Sequence, residues 1–242
     1  MSPLATHIVA STDFGSPPGA TTQDKHVIFL WQLTYWMAIP LGLIVIGLIL
    51  WCVVRYRVRP GSTRKASQFQ YQIPLEVTYV IIPLIMVAVV FGFMWTAENK
   101  ITRVSQHPAV KIDVQAFQWG WRFVYPNGHE EVGSVSDNLQ IDSYQNVPVL
   151  YMPEHETVQM HLVTEDVIHT LYIPAFLFQR DMIPGINNVV DFNADRTGVF
   201  DGECNNICGV YHAYMRFKVD VMTTSEYNTW YHQQAPNSIH NW

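Results

Sequence analysis

Two stretches of this chain run without an ionised side chain for longer than a soluble fold ordinarily allows. Val27 to Val54 is 28 residues of mostly Leu, Ile, Val and Trp with no Asp, Glu, Lys or Arg, and Val77 to Ala97 is 21 more. About 20 such residues in a helix cross the hydrocarbon core of a bilayer. Two spans are therefore predicted, at about 27–54 and 76–97. Pro40 and Pro83 fall inside them, where a soluble helix would suffer, but neighbours in a membrane bundle can satisfy the freed carbonyls. Cys52, within the first run, reads as a structural thiol facing lipid.

The charges between the spans set their direction. Arg55, Arg57, Arg59, Arg64 and Lys65 stand in the segment 55–75 with no acid before Glu76. Short basic loops stay cytoplasmic, so both termini are expected on the other side of a cell or inner membrane. Residues 1–26, with Gly15, Pro17, Pro18 and Gly19, read as an extended external tail, and no ordinary signal-peptide pattern is read at Met1. Residues 98–242 hold 17 acidic and 8 basic side chains, a balance of −9 that the whole-chain value of −6 conceals. An acidic outer domain can steer a basic partner. Nothing in this distribution points to nucleic acid.

Beyond Lys100 the apolar period becomes two. Val110, Ile112, Val114 and Ala116 alternate with polar residues, as do Val158, Met160 and Leu162, and Phe217, Val219 and Val221. With Pro, Gly and Asn between such runs, residues 98–223 are expected to form an all-β sandwich or Greek-key barrel. His161 falls on the polar side of its run and reads as solvent-facing. In the last segment, 224–242, Ser225-Glu226 are expected to cap a short helix bearing Tyr227, Trp230 and Tyr231.

The chemistry is concentrated in Cys204-Asn205-Asn206-Ile207-Cys208-Gly209-Val210-Tyr211-His212-Ala213-Tyr214-Met215. Two thiols, an imidazole and a thioether form the soft and borderline donor set that copper takes in preference to hard oxygens. Asp166-Val167-Ile168-His169 ends an alternating run and can bring a second imidazole. Five side chains exceed the need of one small ion, and two thiolates can each bridge a pair, so a dinuclear copper centre fits better than a mononuclear one. A Cys204–Cys208 disulfide and a zinc site are the alternatives, although Met is a poor zinc ligand.

These residues together resemble the copper A signature of subunit II of haem-copper cytochrome c oxidases. The C-terminal domain of nitrous oxide reductase carries the same centre, but would be accompanied by a large catalytic domain and no hairpin. A quinol oxidase subunit of the same fold would lack the Cys pair. A membrane-anchored copper-delivery protein is the rival from a different class. The resemblance implies a two-helix transmembrane hairpin followed by a cupredoxin-like Greek-key sandwich. It implies that Cys204 and Cys208 bridge two coppers, that His169 and His212 bind one each, and that Met215 and the backbone carbonyl of Asn206 complete the set.

Other roles follow from the same resemblance. Within Phe117-Gln118-Trp119-Gly120-Trp121, Trp119 would be the point where electrons arrive from cytochrome c or a c-type cytochrome domain, with Trp121 left to packing. Glu76, in Pro74-Leu75-Glu76-Val77-Thr78-Tyr79, would stand near the entrance of a proton path into the catalytic subunit I. Asp181, before Pro184-Gly185, would be an acid supporting the centre or the subunit interface. Family members commonly carry Glu where Asn206 stands, its carboxylate reaching magnesium or manganese at the boundary with the catalytic subunit. Asn is a weaker ligand for a hard cation, which puts such a site near Asn206 and Asp181 in question. Haem, oxygen reduction and proton pumping would belong to partner oxidase subunits.

Overall fold

The computed structural model describes residues 14–63, 67–135 and 146–234. Arg64 and Lys65 of the basic segment, the first thirteen residues and the last eight lie outside this range. The chain divides into two compact units, residues 1–16 with 28–98, and residues 17–27 with 99–242.

The first unit is built on two helices, α1 (Asp24–Arg55) and α2 (Ile73–Ile101). Both are long and apolar enough to cross a membrane. They extend past the charge-free runs at both ends, because Asp24 and Glu76 occupy first turns and Arg55 and Lys100 last turns. Those placements complement the helix dipole. Pro40 and Pro83 are accommodated inside the helices. The Leu, Ile and Val side chains along both helices, among them Leu43, Ile44, Leu84 and Ile85, are largely uncovered, as a surface facing hydrocarbon requires.

The second unit is a sandwich of two five-stranded sheets. One contains β1 (Val110–Phe117), β2 (Gly120–Val124), β3 (Glu130–Ser134), β5 (Thr157–Thr164) and β8 (Asn188–Asn193), in the order β3-β2-β1-β5-β8. The other contains β4 (Val149–Pro153), β6 (His169–Ile173), β7 (Phe178–Met182), β9 (Gly198–Cys204) and β10 (Arg216–Met222), in the order β4-β10-β9-β6-β7. The expected period-two runs are β1, β5 and β10, and their apolar sets Ile112, Val114 and Ala116; Val158, Met160 and Leu162; Phe217, Val219 and Val221 all line the buried interior. Two pairings, β1 with β5 and β10 with β4, are parallel. Parallel neighbours need long crossovers, so the strands run out of chain order across each sheet.

Aromatic side chains fasten the two sheets. Trp121 and Phe123 on β2 meet Phe217 on β10, with ring centroids 4.9 and 5.6 Å apart. An aromatic that buries about 200 Å2 contributes up to about 5 kcal/mol at about 25 cal/mol per Å2. Gly202 lies against the Phe217 ring, where a Cβ would collide with it.

The tail assigned to residues 1–26 is not free to its end. Asp24 is buried, and its carboxylate accepts from the backbone N–H groups of Ala20 (2.6 Å) and Thr21 (2.9 Å) and from the Thr21 hydroxyl (2.7 Å). This capped turn adds to the edge after β8, where Thr22 N donates to Asn193 O and Asp195 N donates to Ala20 O. The reason is backbone satisfaction: the edge offers partners that an extended tail would otherwise find only in water.

The C-terminal segment also belongs to the sandwich unit. Its helix, α3 (Thr224–Gln233), is capped two residues earlier than Ser225-Glu226 suggests. Thr223 is the N-cap, in a capping box with Glu226. Trp230 packs on Tyr151 (4.5 Å) and Tyr125 (5.0 Å), and the buried Tyr125 hydroxyl accepts from Tyr151 N at 2.7 Å. We predict that Thr223→Ala lowers stability by about 1 kcal/mol, read as a lower thermal midpoint of the β unit. An unchanged midpoint would show that α3 is held by its aromatic contacts alone.

Candidate metal centre

The soft-ligand loop is the connection between β9 and β10, residues 205–215. Its base is closed by Cys204 N donating to Met215 O at 3.0 Å. Met215 O also accepts from Trp121 Nε1 at 3.4 Å, so the buried Trp121 both packs the core and steadies the loop. His169 opens β6, which pairs with β9 through Leu171 and Cys204. Three adjacent chain ends are thus brought to one edge of the sandwich.

The six expected donors converge there. Cys204 Sγ and Cys208 Sγ are 3.9 Å apart. Around Cys204 lie His169 Nδ1 at 3.8 Å and Asn206 O at 3.3 Å. Around Cys208 lie His212 Nδ1 at 3.6 Å and Met215 Sδ at 3.9 Å. Cys204, Cys208, His169 and Met215 are all buried. Both thiols are free, which sets aside the disulfide alternative, whose sulfurs would lie about 2.05 Å apart. A tetrahedral ion with bonds of about 2.0–2.3 Å has donor-to-donor edges of about 3.3–3.8 Å. The spacing found here matches such edges, and the sulfur-rich set with a thioether suits copper. Among the described residues the one cluster of three or more His, Cys, Asp or Glu donors is His169, Cys204 and Cys208.

The electrostatics of the site follow from these contacts. The Cys208 thiol holds Cys204 down to about 3 against the opposing effect of burial, with His169 adding to the same effect. Contact with Cys204 and burial push the Cys208 thiol well above its usual range. In the metal-free chain the pair therefore shares one proton, which a metal ion would displace. Burial acts to lower His169, but Cys204 and Asp166 outweigh it and raise the imidazole above its ordinary value. Burial likewise opposes ionisation of Asp166, and its hydrogen bonds to His169, Val167 and Gln118 hold it below the usual carboxylate range.

Asp166 is the part of the site that reading the sequence missed. Its Oδ1 lies 2.9 Å from His169 Nε2 and accepts from Val167 N, and its Oδ2 accepts from Gln118 N at 2.7 Å. A carboxylate on Nε2 leaves Nδ1 as the free ligand nitrogen and fixes the ring's orientation. The same carboxylate pins the turn carrying Trp119. The signal available was an acid three residues before a ligating His.

Trp119 lies half-buried against the soft-ligand loop. Its Nε1 donates to Cys208 O at 3.2 Å, Gln118 Nε2 donates to the same oxygen at 2.7 Å, and Tyr211 packs edge-on at 5.0 Å. The Gln118–Trp119 peptide is cis. Gly209 has φ +131°, and a Cβ there would press on the Trp119 indole. Glycine is therefore required beside Cys208 both by its backbone angle and by the indole above it.

The remaining expected residues are dispersed. Asp181, on β7, accepts from the Thr170 hydroxyl at 2.5 Å, next to His169; among the described residues it joins no cluster of metal-ligating groups. Asn205 Nδ2 donates to Gln179 Oε1 at 2.7 Å. Glu76 Oε1 accepts from Gln72 N at 2.9 Å, closing the start of α2. His161, on β5 in the other sheet, lies 3.6 Å from Asp113 with its side chain 43% exposed, in keeping with a solvent-facing role.

A pair of spanning-length helices joined to a cupredoxin-like sandwich with a soft donor cluster at one edge defines a membrane-anchored copper-site protein. Comparison with known proteins makes this narrower. The family profile for the periplasmic domain of cytochrome c oxidase subunit II matches residues 110–222. A probable cytochrome c oxidase subunit 2 of Streptomyces avermitilis is 30% identical over 243 aligned residues, covering 88% of this chain and 76% of its own. The cytochrome c oxidase subunit 2 of Mycobacterium tuberculosis is 29% identical over 270 residues, covering 91% and 74%. Among solved structures, the periplasmic domain of subunit II of cytochrome oxidase from Bradyrhizobium japonicum is 28% identical with a TM-score of 0.45, covering 52% of this chain and 94% of that one. The chain belongs to the cytochrome c oxidase subunit II family.

The Asp166–His169 pair gives a pH dependence for the metal-free chain. Stability from protonated His169 is complete below its ordinary value near 6.5 and is lost as pH rises through its raised folded value; that from ionised Asp166 is complete above 3.8 and is lost as pH falls through its lowered one. Asp166→Asn should therefore lower the His169 pKa, followed by NMR titration of labelled imidazoles in detergent. A titration that stays in place would mean that Asp166 does not set this ring's proton.

Proposed function

We propose that this chain accepts electrons one at a time from a c-type cytochrome and passes them to haem in the catalytic haem-copper subunit, subunit I, which reduces oxygen and pumps protons. The reading rests on one observation above all: two free, buried thiols are flanked by two imidazoles, a thioether and a carbonyl, with Trp119 bonded to the backbone of one of the Cys ligands. Six donors, two of them thiolates that could be shared between metals, would suit two coppers better than one. Bound there, copper supplies reversible one-electron chemistry.

The chain's own residues keep the donors still. Cys204 is fixed by β9, Met215 by Cys204 N and Trp121, His169 by Asp166, and Cys208 by the two donors from Gln118 and Trp119. Ligands held this way move little when an electron arrives or leaves, which keeps the barrier to transfer low. Trp119 serves as the point of arrival, its ring one hydrogen bond from the Cys208 carbonyl. Nearby, Ile207 and Val210 are 86% and 83% exposed, an apolar surface suited to a protein partner. Burial of the ligands opposes the ready release expected of a delivery protein.

The β unit and both termini are assigned to the extracytoplasmic side, from the basic loop between the spans. A magnesium or manganese ion near Asn206 and Asp181 would need ligands from the catalytic subunit. Glu76 is assigned to the entrance of the proton path, on the strength of its place at the start of α2; Glu76→Gln should then reduce proton uptake by the assembled oxidase and leave copper content unchanged. Equal proton uptake by the variant would return Glu76 to a purely helix-capping role.

The deciding experiment is copper analysis with EPR. Two coppers per chain with one unpaired electron shared over both nuclei are expected, and Trp119→Leu should keep that spectrum while slowing reduction by cytochrome c by an order of magnitude or more. A spectrum from a single copper nucleus would overturn the dinuclear reading, and full-speed reduction of the variant would move the point of arrival elsewhere.

A further inference from the structure

The sandwich unit holds a second polar cleft, of about 500 Å3, that takes no part in the soft-ligand site. Thr22 and Gln23 approach it ahead of α1, residues 100–107 form one wall where α2 ends, and β5 and β8 close it with Thr157, Asp191 and Asn193. Lys100 lies in the last turn of α2 and Arg103 two residues beyond the helix, both exposed. Among the described residues neither is in an ion pair. His107 adds a third basic group to the rim.

The acid lining the cleft is buried, and both its oxygens are engaged within the chain. Asp191 is 6% exposed, one oxygen accepting from Ser105 N and the other from Gln159 Nε2. Glu98 precedes Lys100 by two residues, which places it on the other side of the helix. An unpaired cationic rim therefore stands out on a unit whose residues 98–242 carry a net charge of −9.

Position supplies the occupant. α2 is of spanning length, and Trp95, 63% exposed, lies five residues before Lys100, where an aromatic anchors a span at the interface. Lys100 and Arg103 consequently emerge at the depth of lipid phosphates. We infer that this cleft binds the headgroup of an anionic phospholipid in the adjacent leaflet, with Lys100 and Arg103 pairing with its phosphate and Thr22, Thr157 and Asn193 offering polar partners for the headgroup beyond.

The test uses the full-length chain in mild detergent doped with phosphatidylglycerol and phosphatidylcholine, with retained lipid read by native mass spectrometry. Phosphatidylglycerol is expected to be retained in preference. Lys100→Gln and Arg103→Gln should each weaken its retention about fivefold, the scale of one cation at an anionic surface. The charge-conserving pair Lys100→Arg and Arg103→Lys should restore it, and Lys218→Gln, on β10, should leave it unchanged. Equal retention of both lipids, an unaffected Lys100→Gln/Arg103→Gln double variant, or an equal loss in Lys218→Gln would overturn the assignment. Displacement of the lipid by inorganic phosphate alone would overturn it in favour of a free oxyanion.

Discussion

The centre depends on keeping two sulfurs in contact without a bond between them. Cys204 and Cys208 stand 3.9 Å apart, close enough to share a metal and too far to be a disulfide. Each is held from a different sheet. Cys204 is the last residue of β9, and its own N–H closes the loop onto Met215. Cys208 is held through its carbonyl by Gln118 and Trp119, which come from the turn between β1 and β2 in the opposite sheet. The separation of the thiols is thus a measure of how the sandwich closes, and Trp121 against Phe217 joins the same two sheets directly beneath.

How much of this was legible beforehand follows sequence distance. Cys204, Asn206, Cys208, His212 and Met215 share one loop, so their spacing carries the chemistry directly. His169 is 35 residues away and was recognised through its motif. The Asp166 carboxylate binding Gln118 N spans 48 residues, and Gln118 reaching Cys208 O spans 90; neither contact leaves a local pattern. The sandwich itself was visible as alternation in β1, β5 and β10. The parallel neighbours were not, because alternation states which face is buried and not which strand lies alongside.

Charge also reads differently once partners are known. The acidic balance of residues 98–242 suggests long-range attraction of a basic protein, yet Glu165, Asp166 and Asp181 near the centre are engaged within the chain. Glu165 pairs with Arg122 at 2.8 Å, Asp166 is bound to His169, and Asp181 to Thr170. What those groups leave facing outward beside Trp119 is apolar, Ile207 and Val210 above all. Attraction at a distance and contact at the surface are then assigned to different residues.

The capped turn ahead of α1 has a consequence for the order in which the chain assembles. Gln23 Nε2 donates to Asp191 O across 168 residues of sequence, and Thr22 binds Asn193 in the same way. A segment ahead of the first helix is completed only by a strand made much later. At about 5–20 residues per second of synthesis, that segment waits on the order of 10–30 s for β8. Until then Ala20 and Thr22 must keep their backbone groups in water, and the edge that finally receives them stays open to no other strand once they dock.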